Sequence, residues 1–317
     1  MKRFKKLLVV YNGNENEHDT LRRAYHLARH NKASLTIVDV IEKIPQKIGY
    51  YFEKVSVSEV ESVEAEQRAE QIIGIIKGFE HRTKIKADVK VFIGKPHIEI
   101  IKEVLRNEHD LLIKTAEGAS VAKALLFGSI DINLLRKCPC PVWMVKPTKS
   151  RTYSRVLAAV DPDPIDEQNN KLNDLIIELA VSVSKIERSE LQIIHVWSMF
   201  GERTLTGPRF RKTESQMRKL MREAKKTHRE WLDKLLNKIR FGRKKPKIHI
   251  IKGDPAKIIP RVAKSQKIDL IVMGTVSRAG LPGLIIGNTA ESILSQVNCS
   301  VLTVKPKNFV TPVSLED

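Results

Sequence analysis

The chain has 317 residues, a length that points to roughly two domains of ~150 residues each. Its 42% hydrophobic and 29% charged residues exclude a wholly disordered chain, and no apolar run approaches the ~18 residues of a membrane-spanning helix. Lys and Arg total 56 against 37 acids, a net charge of +19 that is concentrated rather than spread. Residues 203–247 hold 17 bases and 4 acids (17 − 4 = +13), whereas 43–84 hold 7 of each. The apolar stretch 7–10 is too short for a signal-peptide core. Cys138, Cys140 and Cys299 form a sparse, odd set that suits reduced thiols, so a cytoplasmic protein is expected.

In chain order the predicted elements fall into two copies. The strand 6–11 opens the first, and 155–161 matches it at an offset of 150, which sets Tyr11 against Asp161. Residues 94–147 and 253–306 align without a gap at an offset of 159 and share 13 of 54 positions, among them Gly94/Gly253, Pro96/Pro255, Asp110/Asp269, Gly128/Gly287 and Cys140/Cys299. A duplicated domain follows, with copies at 1–150 and 151–317. In the second copy the strand 156–160 leads through the turn at Asp161 and Asp163 into a helix at 171–186. A buried strand at 191–197 comes next, then an amphipathic helix over about 213–240 with Met217, Leu220, Met221, Ala224, Trp231, Leu232, Leu235 and Ile239 at helical spacing. Strands at 247–252, 269–273 and 301–305 alternate with helices opened by Pro255 and Gly287. Five strands joined by helical crossovers predict a parallel sheet covered on both faces, with ligands beyond the carboxyl ends of the strands.

The loop after the fourth strand of the second copy, 274–289, has the small residues that let backbone N–H groups approach an anion, although glycines also serve as plain punctuation there. The strand LIVMGT, this loop, the helix NTAESIL and the ending CSVLTVKP together resemble the universal stress protein family, as does an opening strand that ends in Asp161. The family's pattern is G-x2-G-x9-G-[S/T]; the chain carries Gly274-x2-Ser277-x9-Gly287-Asn288 in one copy and Thr115-x2-Gly118-x9-Gly128-Ser129 in the other. The segments 134–147 and 309–317 look like the tandem, E-type subgroup.

The resemblance implies an α/β fold of two tandem five-stranded parallel-sheet domains of the adenine-nucleotide-hydrolase-like type. They would pack as an internal pseudo-dimer with 142–146 facing 301–305, and a homodimer of the whole chain stays open. It also implies a non-catalytic stress-response protein that acts through partners and binds ATP, with Mg, or a similar phosphorylated ligand; weak ATP hydrolysis would be a side property. Asp161 and Val196 would meet the base and ribose, and Met273, Gly274, Ser277, Gly287, Asn288 and Thr289 the ribose and phosphates, with Arg278 a phosphate partner. Ser277 and Asn288 depart from the motif, so a different or bulkier ligand fits as well. The first copy is the weaker site: Tyr11 replaces the aspartate and Thr115 the first glycine, while Gly118, Gly128 and Ser129 remain.

Other features are weighed against this. The helix at 213–240 exposes Arg222, Lys225, Lys226 and Arg229; it is either a solvated face, helped by Glu214/Arg218 and Glu230/Lys234 pairs, or a surface for nucleic acid or anionic membranes, with the nucleotide pockets then vestigial. His26 and His30 stand one helical turn apart but lack a third metal ligand, and His195 reads as a satisfied core histidine. Asp161 and Asp163 could hold a cation or simply form the turn. Cys138-Pro-Cys140 is not a CxxC motif; Cys140 and Cys299 share a packing position, which leaves Cys138 alone for redox sensing. No hydrolase elbow, zincin, Walker A or dinucleotide motif is present.

Overall fold

The computed structural model of the chain describes residues 4–11, 17–45, 56–117, 127–147, 152–199, 202, 205, 212–242, 244–275 and 286–316. The first copy runs β1 (Lys6–Val10), α1 (His18–Asn31), β2 (Ser34–Ile41), α2 (Val57–Thr83), β3 (Ala87–Ile93), α3 (Pro96–Asn107), β4 (Leu111–Thr115), α4 (Ser129–Lys137) and β5 (Val142–Val145). The second runs β6 (Arg155–Ala159), α5 (Glu167–Glu187), β7 (Glu190–Trp197), α6 (Glu214–Leu236), β8 (Lys247–Lys252), α7 (Pro255–Ser265), β9 (Leu270–Gly274), α8 (Asn288–Leu294) and β10 (Ser300–Val304). Local chemistry sets the helix starts. Ser56 and Glu59 form a capping box at α2, Thr213 and Gln216 another at α6, and Pro96 and Pro255 open α3 and α7, where a missing N–H costs nothing.

The chain divides into two compact units, one formed by Met1–Arg151, Ala279–Ile286 and Ser300–Asp317, the other by Thr152–Arg278 and Gly287–Cys299. In the first, the strand order is β3-β2-β1-β4-β5-β10, with β1 to β5 parallel. β10, the last strand of the second copy, runs antiparallel to β5 in this unit, with Val301 opposite Met144 and Thr303 opposite Val142. In the second unit the order is β9-β6-β7-β8, all parallel. The inner strands are buried on both faces, as runs such as Leu7–Val10 and Leu270–Met273 require, while the edge strands β3 and β8 are half-buried.

Several identities between the copies have a structural reason. Asp110 takes the N–H groups of Lys5 and Lys6 at 2.6 and 3.0 Å, and Asp269 takes those of Ser154 and Arg155 at 2.7 and 2.9 Å. In each case the loop before the fourth strand fixes the start of the first. Gly94 N–H donates to Ile41 and Gly253 N–H to Trp197, both at 2.9 Å, closing the exit of the third strand onto the second.

In each unit the chain moves outward on one side of the first strand and returns on its other side. The switch point therefore lies between β1 and β4 in the first unit and between β6 and β9 in the second, where α/β sheets bind ligands.

Candidate functional site

In the second unit the switch point is flanked by Asp161, just past β6, and by Gly274, the last residue of β9. Asparagines on α5 hold the first of these turns. Asn173 accepts from the Asp161 N–H at 3.0 Å and donates to its carbonyl at 2.9 Å, and Asn169 donates to the same carbonyl at 2.7 Å. Asn170 exchanges hydrogen bonds with the Asp163 backbone, and the Asp163 carboxylate accepts from Ile165 N–H at 3.0 Å. Asp163 is thus a turn former. The Asp161 side chain is 56% exposed, with its carboxylate 3.9 Å from His195 Nδ1.

His195 is fully buried and has partners on both ring nitrogens. Nδ1 is 3.2 Å from the Val160 carbonyl, so it carries a proton, and Nε2 is hydrogen-bonded to His228 Nδ1 at 3.0 Å; in the singly protonated ring Nε2 is the acceptor of that bond. His228, on α6, stacks on Trp197 with ring centroids 5.2 Å apart and meets Trp231 edge-on at 4.8 Å. Val196, between His195 and Trp197 on β7, is half-buried and alternates to the other face of the sheet. The Asn169–Asn173 brace and His228 are additions to the predicted set. The asparagines were readable as side chains one helical turn apart, and His228 as a polar residue three before Trp231 on the apolar stripe.

At the other flank Met273 is buried, and Gly274 lies so close to α5 that a Cβ would come within 3.0 Å of the Leu172 side chain. Gly287 N–H donates to the Thr275 carbonyl at 2.7 Å and closes the base of the loop. Asn288 and Thr289, the first residues of α8, are exposed. The Thr275 hydroxyl is buried and has no partner among the described residues. Asp161, Val196, Met273, Gly274, Gly287, Asn288 and Thr289 are therefore all within the second unit, and Ser277 and Arg278 lie outside the described residues.

The first unit treats the same place differently. The Lys114 ammonium donates to Asp131 at 2.8 Å, Glu117 at 3.0 Å and the Thr115 carbonyl at 3.1 Å. The other Asp131 oxygen accepts from the N–H groups of Glu117 at 2.6 Å and Gly128 at 3.3 Å. Gly128 has no room for a side chain, because a Cβ would run into Glu117. The Thr115 hydroxyl is bonded to Thr20 at 2.6 Å, and Ser129, with its carbonyl bonded to Asn133, begins α4. Burial lifts the Asp131 carboxyl above its usual range while Lys114 opposes; for Lys114 burial works against the charge, but the two carboxylates outweigh it and raise its pKa. Gly118 lies outside the described residues. The loop-end N–H groups of the first copy thus already hold an anion, and it is the chain's own carboxylate.

Arg222, Lys225, Lys226 and Arg229 are exposed along α6. Arg229 pairs with Asp233 at 2.9 Å and Lys226 with Glu230 at 3.8 Å, so Glu230 reaches back to Lys226 where Lys234 was the expected partner; Glu214 and Arg218 pair at 3.1 Å as expected. A cavity of about 720 Å³ opens elsewhere in this unit, lined in part by Lys185, Arg188, Glu190, Lys244 and Lys245 and by none of the predicted nucleotide contacts. His26 and His30 are both exposed on α1, and the described residues hold no cluster of three or more metal-ligating side chains. No helix among them is long and apolar enough to cross a membrane.

Two α/β repeats, each with a switch point at the end of its first and fourth strands, define a tandem protein of the doubly wound α/β class. The sequence matches the universal stress protein family over residues 3–146 and again over 152–305, and the chain belongs to that family in its tandem form. It is 29% identical to universal stress protein E of Escherichia coli K12, over 72% of this chain and 70% of that protein. It is 28% identical to the universal stress protein E homolog of Haemophilus influenzae, over 96% and 98%. A protein of unknown function from Pseudomonas aeruginosa PAO1 shares the fold, with a TM-score of 0.71 at 24% identity, over 97% of this chain and 94% of that one.

Proposed function

We propose that this tandem universal stress protein holds one phosphorylated ligand, ATP or a related nucleotide, in its second unit, and acts in stress response without catalysis, through partners. The contrast between the two copies carries the reading. Where the first has Lys114 and Asp131, the second has Met273 and Ala290 at the offset of 159, so it lacks the internal carboxylate and its counter-ion. It keeps a buried hydroxyl at Thr275 that has no partner among the described residues and an exposed carboxylate at Asp161, groups suited to a ligand with hydroxyl and N–H functions. Asp161 and Val196 would take the base and ribose, and Gly274, Thr275, Gly287, Asn288 and Thr289 the phosphate end, with Ser277 and Arg278 joining from the loop. Magnesium would come with the nucleotide's phosphates.

Native mass spectrometry with and without Mg-ATP tests this. A nucleotide-sized mass shift is expected in the wild type and in Gly128→Trp if that variant folds, and its loss in Gly287→Trp. Retention of the shift in a folded Gly287→Trp variant would overturn the assignment to the second unit.

A second reading rests on the exposed bases of α6: an anionic macromolecule binds this helix. Binding to nucleic acid should then fall steeply with salt, through counterion release, and should disappear when Arg222, Lys225, Lys226 and Arg229 are reversed in charge. Equal binding by that variant excludes the helix.

A further inference from the structure

Cys138 caps the carboxyl end of α4 and Cys140 leads into β5, with Pro139 at the bend between them. Their sulfurs are 3.5 Å apart, and both side chains are buried, at 0% and 8% exposure. Packing explains only one of them. Cys140 has a buried counterpart in Cys299, but the position of Cys138 is filled by Val297 in the second copy. The first copy therefore sets an additional thiol against a structural one.

A third group completes the cluster. Lys305, just past β10, is 7% exposed, donates from Nζ to the Cys138 carbonyl at 2.6 Å and stands 4.7 Å over the Phe309 ring. A buried ammonium is stable only beside compensating groups; here these are the Cys138 carbonyl and the Phe309 ring, with both cysteines close enough to act on its charge. Burial pushes the Lys305 ammonium down to about 8, with the two sulfurs opposing. Burial also acts to raise the Cys138 thiol, but the hydrogen bond from Cys140 and the Lys305 charge outweigh it and bring the thiol below its usual range. Cys140 is held high, chiefly by that same hydrogen bond. One sulfur is thus prepared as a nucleophile and its neighbour as a protonated reserve.

We propose that Cys138 and Cys140 form a dithiol modification site that hydroperoxides convert to an internal disulfide. The Cys138 thiolate attacks one peroxide oxygen and the O–O bond breaks. The departing alkoxide, or hydroxide for hydrogen peroxide, takes a proton from the Lys305 ammonium, leaving Cys138 as a sulfenic acid. Neutral Lys305 then accepts the Cys140 proton, and the Cys140 sulfur attacks Cys138. The S–S bond forms as the S–O bond breaks, and the hydroxide leaves as water with the proton from Lys305. In sum, two thiols and one hydroperoxide give one disulfide, one alcohol (or water) and one water, and two electrons pass from sulfur to the peroxide. The sulfurs need to close by only ~1.5 Å to reach bonding distance.

Peptide mapping after treatment of the full chain with hydrogen peroxide tests the site. Both cysteines fall within 138–149, apart from Cys299, after tryptic cleavage at Lys137 and Lys149. The expected product is that peptide lighter by two hydrogens and closed to alkylation, with Cys299 still alkylated. Cys140→Ser should stop at a sulfenic acid on Cys138 that dimedone traps, and Cys138→Val, the second copy's residue, should form neither product. Lys305→Met should slow disulfide formation by about tenfold for each unit its loss raises the Cys138 pKa, and should move the pH profile of the rate upward. Two cysteines that stay alkylatable in the treated wild type, or a disulfide to Cys299, would overturn the proposal. The wild-type result decides this even where a variant does not fold.

Discussion

The Lys114 ammonium lies 2.8 Å from the fully buried Asp131 carboxylate, and at the corresponding positions of the second copy stand Met273 and Ala290. The ion pair and the apolar pair are two solutions to one packing problem, and only the first uses up the loop-end N–H groups. Asp131→Ala alone should cost about 3–5 kcal/mol, since it leaves the buried ammonium only Glu117 and the Thr115 carbonyl and strands two N–H donors. Lys114→Met with Asp131→Ala, the second copy's own combination, should cost less than that single change. Urea unfolding of the two single variants and the double decides it; an additive double variant would mean that the pair is not coupled.

Thr275 should show opposite effects on stability and binding. Its buried hydroxyl lacks a partner among the described residues, so Thr275→Val removes an unsatisfied group of similar volume and should leave the ligand-free protein equally stable or more stable by ~1 kcal/mol. If the hydroxyl serves the ligand, nucleotide affinity should fall several-fold. Thermal shifts with and without Mg-ATP measure both, and a variant destabilised without ligand would show that the hydroxyl is already used in the fold.

The fold followed from periodicity and from the internal repeat. The strand expected at 247–252 coincides with β8, and the helix expected over 213–240 begins at its Thr213 cap. Its end was placed too late because Ile239 continues the apolar spacing. In the structure α6 stops at Leu236, and the N–H groups of Lys238 and Ile239 turn back to Leu235 and Leu236 instead of continuing the helical ladder. The antiparallel seat of β10 beside β5 was carried by no local pattern, since a buried strand reads the same in either direction.

The candidate site divides in the same way. Glycine spacing marked Gly274 and Gly287 because close backbone approach has a compositional signature. The Lys114–Glu117–Asp131 network did not appear, because it needs residues 17 apart in sequence to converge on one ammonium. Its trace in the sequence was a lysine inside the otherwise apolar LLIKT strand.

His228 links the site to the basic helix. Replacing it by Phe should keep the stack on Trp197 but leave His195 Nε2 without its donor, at a cost of about 1–3 kcal/mol. Full protonation of both rings would also break this bond, because each facing nitrogen would then be a donor. Denaturant unfolding of His228→Phe, with the imidazole ¹⁵N shifts of His195 recorded in the wild type, tests the assignment. An Nε2-protonated His195 at neutral pH would contradict it.

Lys305 should leave its mark on the pH dependence of stability. Burial lowers its pKa from 10.5 to about 8, so the folded chain loses this proton before the unfolded chain does. Between those values the unfolded state binds more protons, and stability therefore rises with pH across the window; below about 8 the cost of the buried charge is present in full. Lys305→Met removes that cost, which is at most roughly 3 kcal/mol, and also the bond to the Cys138 carbonyl, worth about 1 kcal/mol. The variant should thus be the more stable protein at pH 7, with the difference shrinking and then reversing toward pH 10.5 as the wild-type ammonium discharges. Parallel stability curves for the two proteins across that range would show that Lys305 keeps an ordinary pKa, and that the dithiol beside it has no proton acceptor poised near neutrality.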